Sequence, residues 1–365
     1  PSFPPSSIQN TATGWIINTG GCETGPAVPK PGDHTTVYAN CKGRFTVYNK
    51  TTGTEQSYYV GASNIYGHNP KDLAYRFQRV APIHVSPHNP DVVYHGSQFL
   101  HRTTDDGKTW ETISPDLTAF ESDKQMPSGS PITRDITGEE YYSTLYSIRE
   151  SSVQKGLIWT GANDGPIYVT RDNGITWNDV TPTLIPKGGR VEAIAPSHYN
   201  PAKAYVAIDM HLLGDTKPYI LKTIDYGQTW ELLTNGKNGI PLDHSTRVIR
   251  EDPIREGLLF AGTEYGIFIS LNDGATWQAF QQNLPKTPIT DLKVFRGDLI
   301  ASTMGRGFWI LDDITPLRDN NFSSTHTSAT LFKPNTSTAA DGPANLILEP
   351  SLFTILLIFP IVLVH

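Results

Sequence analysis

Residues 170–182 read TRDNGITWNDVTP, with Thr170, Asp172, Gly174, Thr176 and Trp177 at fixed offsets. The frame returns as TTDDGKTWETI from Thr103, TIDYGQTWELL from Thr223 and SLNDGATWQAF from Ser270. Four copies in one chain make a repeat, and an internal repeat decides architecture before any other signal. The surroundings repeat as well. Residues 83–110 run apolar strand, turn, apolar strand, Gly, strand, box and Trp, and residues 146–177, 191–230 and 247–277 keep that order. Two weaker copies flank these, TTVYANCKGRFTVYNKTTGTEQ at 35–56 and LKVFRGDLIASTMGRGFWILDD at 292–313. No segment offers a long helical period in their place. Six recognisable units of about four short strands predict an all-β chain, a β-propeller of four-stranded blades. The six units make either the propeller itself or a fragment of a larger one.

The box belongs in the turn of each hairpin, because strand stretches such as PIYVT and YILKT lead directly into it. There the carboxylates of Asp105, Asp172 and Asp225 can accept hydrogen bonds from turn amides. Gly107, Gly174, Gly227 and Gly274 supply a positive φ without steric cost. Trp110, Trp177, Trp230 and Trp277 then pack between sheets, each burying about 150–250 Å². In the fourth copy Asn272 replaces Asp, keeping the acceptor oxygen and losing the charge. That exchange suits a turn cap and would disable an acid catalyst. The box is architecture.

The pattern S/T-x-D-x-G-x-T-W resembles the Asp-box, or BNR repeat, of sialidases, xyloglucanase-like glycoside hydrolases and the sortilin N-terminal propeller. The span from about Thr36 to Asp313 is similar to exported BNR-repeat proteins related to that sortilin domain. RVIREDPIREGLLFAGTEYGIFISLNDGATWQ and MGRGFWILDD are the stretches most like that group. The resemblance implies a propeller with its boxes on the outer rim, away from a functional channel, and says little about activity.

Composition narrows the function classes. The chain has 365 residues and a net charge of −7, with no Lys/Arg cluster. That excludes a nucleic-acid partner, which requires a basic surface to neutralise phosphates. The two cysteines, Cys22 and Cys41, are spaced for one closed loop, and neither has a neighbour at metal-ligand spacing. His84 and His88 are four apart but read as strand then turn, so no metal site is assigned. No cofactor fingerprint, phosphate loop or nucleophile elbow occurs. Three N-x-S/T sequons, at Asn49, Asn321 and Asn335, join the even cysteine count in pointing to a secreted or cell-surface protein. The chain opens at Pro1, which implies a removed leader or a piece of a longer protein.

Channel chemistry is expected on the loops that feed the innermost strands. These stretches carry Arg76, Arg79, Glu139, Glu140, Tyr141, Arg190, Glu192, His244 and Arg247. Arg76, Tyr141, Arg190, His244 and Arg247 are the ligand-binding candidates, and Tyr141, Glu192 and Arg247 are expected to line the channel. A sialidase would need an arginine cluster for the substrate carboxylate, a tyrosine nucleophile beside a Glu, and an Asp acid. Its F/Y-R-I-P signature is missing. A glycosidase of xyloglucanase type needs two carboxylates about 5–9.5 Å apart, for which Glu140 and Glu192 are candidates. Ion pairs lining a wet channel explain the same residues. The leading expectation is a binding module for a peptide, protein or glycan, with a glycoside hydrolase as the alternative.

The domain plan is an irregular segment over 1–35, the propeller over 36–315, a polar Ser/Thr/Pro-rich linker over 316–345 and a hydrophobic tail over 346–365. A small-residue stretch, a polar spacer and a terminal apolar tail make the layout of a GPI-attachment signal. Membrane attachment through this tail is therefore an expectation. Two prolines and Glu349 interrupt the apolar run, which is short for a spanning helix of about 20 residues.

Overall fold

The computed structural model describes residues 19–21, 25–61, 66–127 and 141–319. Within them six antiparallel sheets form the blades of a six-bladed β-propeller, five with four strands and the last with three. The inner strands are Ala27–Pro29, Ile83–Val85, Leu145–Glu150, Arg190–Pro196, Thr246–Glu251 and Ile289–Phe295. They number blades one to six. Ala27–Pro29 lies ahead of the position-36 start read from the repeats, because three residues carry no alternation signal. The fourth strands are two-residue stubs in blades two to five, such as Asn178–Asp179. No helix among the described residues is long and apolar enough to cross a membrane. Residues 320–365, with Asn321, Asn335, the linker beyond 319 and the apolar tail, lie outside the described residues, as do Cys22 and Glu140.

Strands in the middle of a blade are covered on both faces. All five residues of Ile158–Ala162 and of Leu259–Thr263 are buried, which is why they read as continuous apolar runs rather than alternating ones. Trp159 and Leu157 meet Val191 and Ile194 of the next blade in one cluster. Close approach of successive blades demands small residues. A Cβ on Gly161 would stand 2.3 Å from Val191 Cγ1, and one on Gly262 would stand 2.7 Å from Ile289 Cγ2. Either side chain would drive neighbouring blades apart.

The four repeat turns are hairpin turns between third and fourth strands. Asp172 Oδ1 accepts from Thr170 Oγ1 at 2.8 Å and from the Thr176 amide at 2.9 Å, while Oδ2 accepts from Thr176 Oγ1 at 2.6 Å. Asn272 reproduces this by accepting from the Thr276 amide and donating through Nδ2 to Thr276 Oγ1, both at 2.9 Å. The positive φ extends one residue further than the glycine. Asp106, Asn173, Tyr226 and Asp273 have φ of 57–62°, a region open to Asp and Asn but uncommon for Tyr. Arg171 covers the Tyr226 ring at 4.0 Å. These residues also reach across to other blades, for Tyr38 donates to Asp106 and Tyr205 donates to Asp273.

The tryptophans join blades through their polar edge as well as their area. Trp177, Trp230 and Trp277 donate Nε1–H to the carbonyls of Ile113, Val180 and Leu233 on the preceding blade. Of the four repeat-turn tryptophans only Trp277 is fully buried, and the other three are partly buried. The reason is position, because the turns stand at the rim.

The turn hydrogen bonds hold the Asp172 carboxyl down to about 2, the Thr176 side chain contributing most. A depressed carboxyl stabilises the fold above its unfolded pKa near 4, and this contribution is lost as pH falls toward the folded value. Asp172→Asn is therefore expected to leave melting at pH 7 nearly unchanged, because Asn keeps the acceptor oxygen, and to flatten the decline in stability between about pH 4 and pH 2. Urea melts across that range check both parts.

Candidate functional site

The inner strands of all six blades enclose a central channel of about 750 Å³. In four of them one residue is skipped in the pairing with the second strand. Tyr146, Glu192, Arg247 and Thr290 have no partner in register. Each is the extra residue of a β-bulge, a device that re-aims side chains, and all four line the channel. Flanking residues show the consequence. Leu145 and Ile148, Val191 and Ile194, Thr246 and Ile249, and Ile289 and Leu292 are all buried, at a spacing of three. A period of two would have put one of each pair on the opposite face. The bulges also set channel-facing side chains three apart, so Arg149, Arg250 and Lys293 follow Tyr146, Arg247 and Thr290 along the wall.

Glu192 is the electrostatic centre of the bulge layer. Its Oε1 accepts from Arg190 Nε at 2.7 Å and lies 3.7 Å from an Arg247 nitrogen. Arg247 also donates Nε to Glu264 Oε1 at 2.6 Å. Arg190 rests on the Tyr146 ring at 4.9 Å and faces Asp209 at 3.7 Å. Burial raises the Glu192 pKa, Arg190 and Arg247 pull it back, and Asp209 pushes it up, with a net upward shift. Deeper in the channel Arg250 donates to Asp291 Oδ1 at 2.6 Å and to the Leu292 carbonyl at 2.9 Å.

The other sequence candidates fall elsewhere. Arg76 is buried, donating to the Ser143 carbonyl at 3.0 Å and to Asp116 at 2.9 Å. That position ties the segment ahead of blade two to blade three. Tyr141 is buried, and its carbonyl accepts from Asn163; it is not among the residues lining the channel. His244 pairs with Asp243 and touches the Tyr265 ring at 4.6 Å, also outside the channel lining. Asn49 ends the strand Arg44–Asn49, its Oδ1 accepting from the amides of Thr51 and Thr52 in the turn that follows. Cys41 is disulfide-bonded. No group of three His, Cys, Asp or Glu side chains placed to hold a metal occurs among the described residues.

The sequence matches no protein-family model and no curated protein. Solved structures are similar in fold. A GH74 xyloglucanase from Xanthomonas campestris superposes with a TM-score of 0.55 at 15% identity, over 78% of this chain and 44% of that one. A GH74 enzyme from Niastella koreensis gives 0.50 at 16%, over 79% and 44%. YCF48 from Cyanidioschyzon merolae gives 0.51 at 10%, over 77% and 80%. The chain thus spans less than half the length of the two hydrolases. At these identities the likeness establishes the propeller alone.

Proposed function

We propose that this chain is a propeller binding module that takes a protein, peptide or glycan ligand at its central channel. The observation that carries this reading is the channel wall. Successive bulges present an aromatic, an anionic, a cationic and a hydroxyl side chain, Tyr146, Glu192, Arg247 and Thr290, to one concave space. Ligand sites combine such a concavity with a few placed polar groups. The repeat turns support a place among BNR-repeat propellers of the sortilin N-terminal type. The Cys41 disulfide and the sequon at the strand end Asn49 support work outside the cell or at its surface, and the apolar residues 346–365 support attachment to a membrane.

Glycoside hydrolysis is the rival outcome. It needs two carboxylates free to act on one sugar bond. Glu192 is engaged by two arginines and Asp291 by Arg250. A binding screen on peptide and glycan arrays, run beside a polysaccharide hydrolysis assay, tests the reading. Saturable binding without turnover is expected. Hydrolysis that disappears in Glu192→Gln would replace the binding module with an enzyme.

A further inference from the structure

The deeper layer of the channel carries more positive charge than its surroundings balance. Four basic side chains, Arg149, Arg247, Arg250 and Lys293, line the channel against two acidic ones, Glu192 and Asp291. This excess stands in a chain whose net charge is −7. Arg247 is matched by Glu192 and Glu264, and Arg250 by Asp291. Arg149 feels Asp291 only at longer range. It donates one nitrogen to the Ile148 carbonyl at 2.9 Å, and among the described residues it forms no ion pair. Blade four, which stands between Arg149 and Arg250, carries only the methyl of Ala195 at the equivalent position. On the other side His84 lines the wall with a buried Nε2 that has no hydrogen-bond partner. Burial and the field of Arg250 lower the Arg149 pKa to about 10 against an upward pull from Asp291, so the guanidinium stays charged at neutral pH, held next to another cation.

We propose that Arg149, Arg250 and Lys293 form an oxyanion-binding site in the channel wall, taking a carboxylate, sulfate or phosphate group of the ligand. The inference rests on the channel being the ligand site. A guanidinium presents paired N–H donors that match such groups, and an entering oxyanion relieves the repulsion between the two arginines. Lys293, exposed on the channel wall with its ammonium 5.5 Å from the Phe295 ring, adds a point charge.

Titration calorimetry of the intact chain with sodium sulfate, phosphate and acetate, against chloride at equal ionic strength, tests the site. At least one oxyanion is expected to bind saturably, and Arg149→Gln and Arg250→Gln are each expected to weaken it about tenfold or more. Lys217→Gln, on the outer surface, is the control that should change nothing. Absence of saturable binding by all three oxyanions overturns the site, as does equal binding in the arginine variants with melting unchanged. The two readings fail separately. A macromolecular ligand that binds in the channel and ignores Arg149→Gln overturns the oxyanion site alone. Sulfate binding that needs Arg149, with every macromolecular ligand found to dock on the outer rim, overturns the channel reading alone.

Discussion

Trp277→Ala is expected to destabilise the propeller by about 3–5 kcal/mol, the range of large aromatic truncations in cores. The ring is 3% exposed and belongs to the cluster that joins blades four, five and six. Its Nε1–H donates to the Leu233 carbonyl, and its own amide donates to the Asn238 carbonyl at 2.7 Å. The backbone there is closely stacked, since a Cβ on Gly239 would lie 1.9 Å from the Trp277 carbonyl oxygen. The wall of the resulting cavity therefore has little freedom to collapse. Trp277→Phe keeps most of the area and removes one of two donors to the Leu233 carbonyl, which retains Asn238 Nδ2 at 2.7 Å, so it should cost about 0.5–1.5 kcal/mol. Trp110 offers the contrast, because it is only partly buried and its Nε1 has no partner. Trp110→Phe should cost less than Trp277→Phe. Denaturant melts rank the three, and a Trp277→Ala loss below about 1 kcal/mol would contradict the account of how blades are joined.

Acidification is expected to have the second large effect, and to begin well above the range in which carboxylates titrate. His95 and His101 are cross-strand partners in blade two, both fully buried. His95 stacks on Phe77 at 4.9 Å with Nε2 unpartnered, while His101 holds Ser97 Oγ at 2.7 Å and Thr112 Oγ1 at 3.0 Å. Burial lowers their pKa values to about 4 and about 3, respectively, and the neighbouring His95 lowers His101 further. Both values lie below that of an unfolded histidine near 6.5. The stability they contribute is therefore complete above about pH 6.5 and is lost as pH falls toward the folded values. Each histidine removes up to about 1.4 kcal/mol per pH unit, so the pair costs on the order of 5 kcal/mol between pH 6.5 and 4.5. That approaches the whole stability of an ordinary domain. Melting temperatures measured from pH 7.5 to 4.5 should fall steeply, and a flat profile would contradict two neutral buried imidazoles.

The outer blade was legible in the sequence and the inner wall was only partly so. The Thr, Asp, Gly and Trp of each repeat turn act locally, within eight residues, and therefore leave a fixed pattern. Glu192 and Arg247 were found because they open inner strands just after turn residues. Tyr146, Arg149, Arg250 and Lys293 were passed over, because strand reading assumes that faces alternate every two residues. The bulges change that period to three at one place in each of four blades. A signal was present, in the apolar spacing of Leu145 with Ile148, Val191 with Ile194, and Ile289 with Leu292. It becomes visible only when the repeats are aligned on their inner strands rather than on their boxes. Arg76 and Tyr141 misled for another reason. A charged or phenolic side chain ahead of an inner strand is as useful for tying two blades together as for meeting a ligand. Sequence alone does not say which side chain turns inward.

The measurement that bears most directly on the central claim is binding by Thr290→Trp. Thr290 is exposed, lines the channel at a bulge, and spends its hydroxyl on Ser302 at 2.7 Å. A tryptophan there would put a bulky ring into the channel while leaving the blade core untouched, with stability held to within about 0.5 kcal/mol. With the best ligand from the peptide and glycan arrays, the variant is expected to lose binding by tenfold or more, about 1.4 kcal/mol, with unchanged melting. Binding at full strength in a folded Thr290→Trp protein would contradict the channel as the site of function.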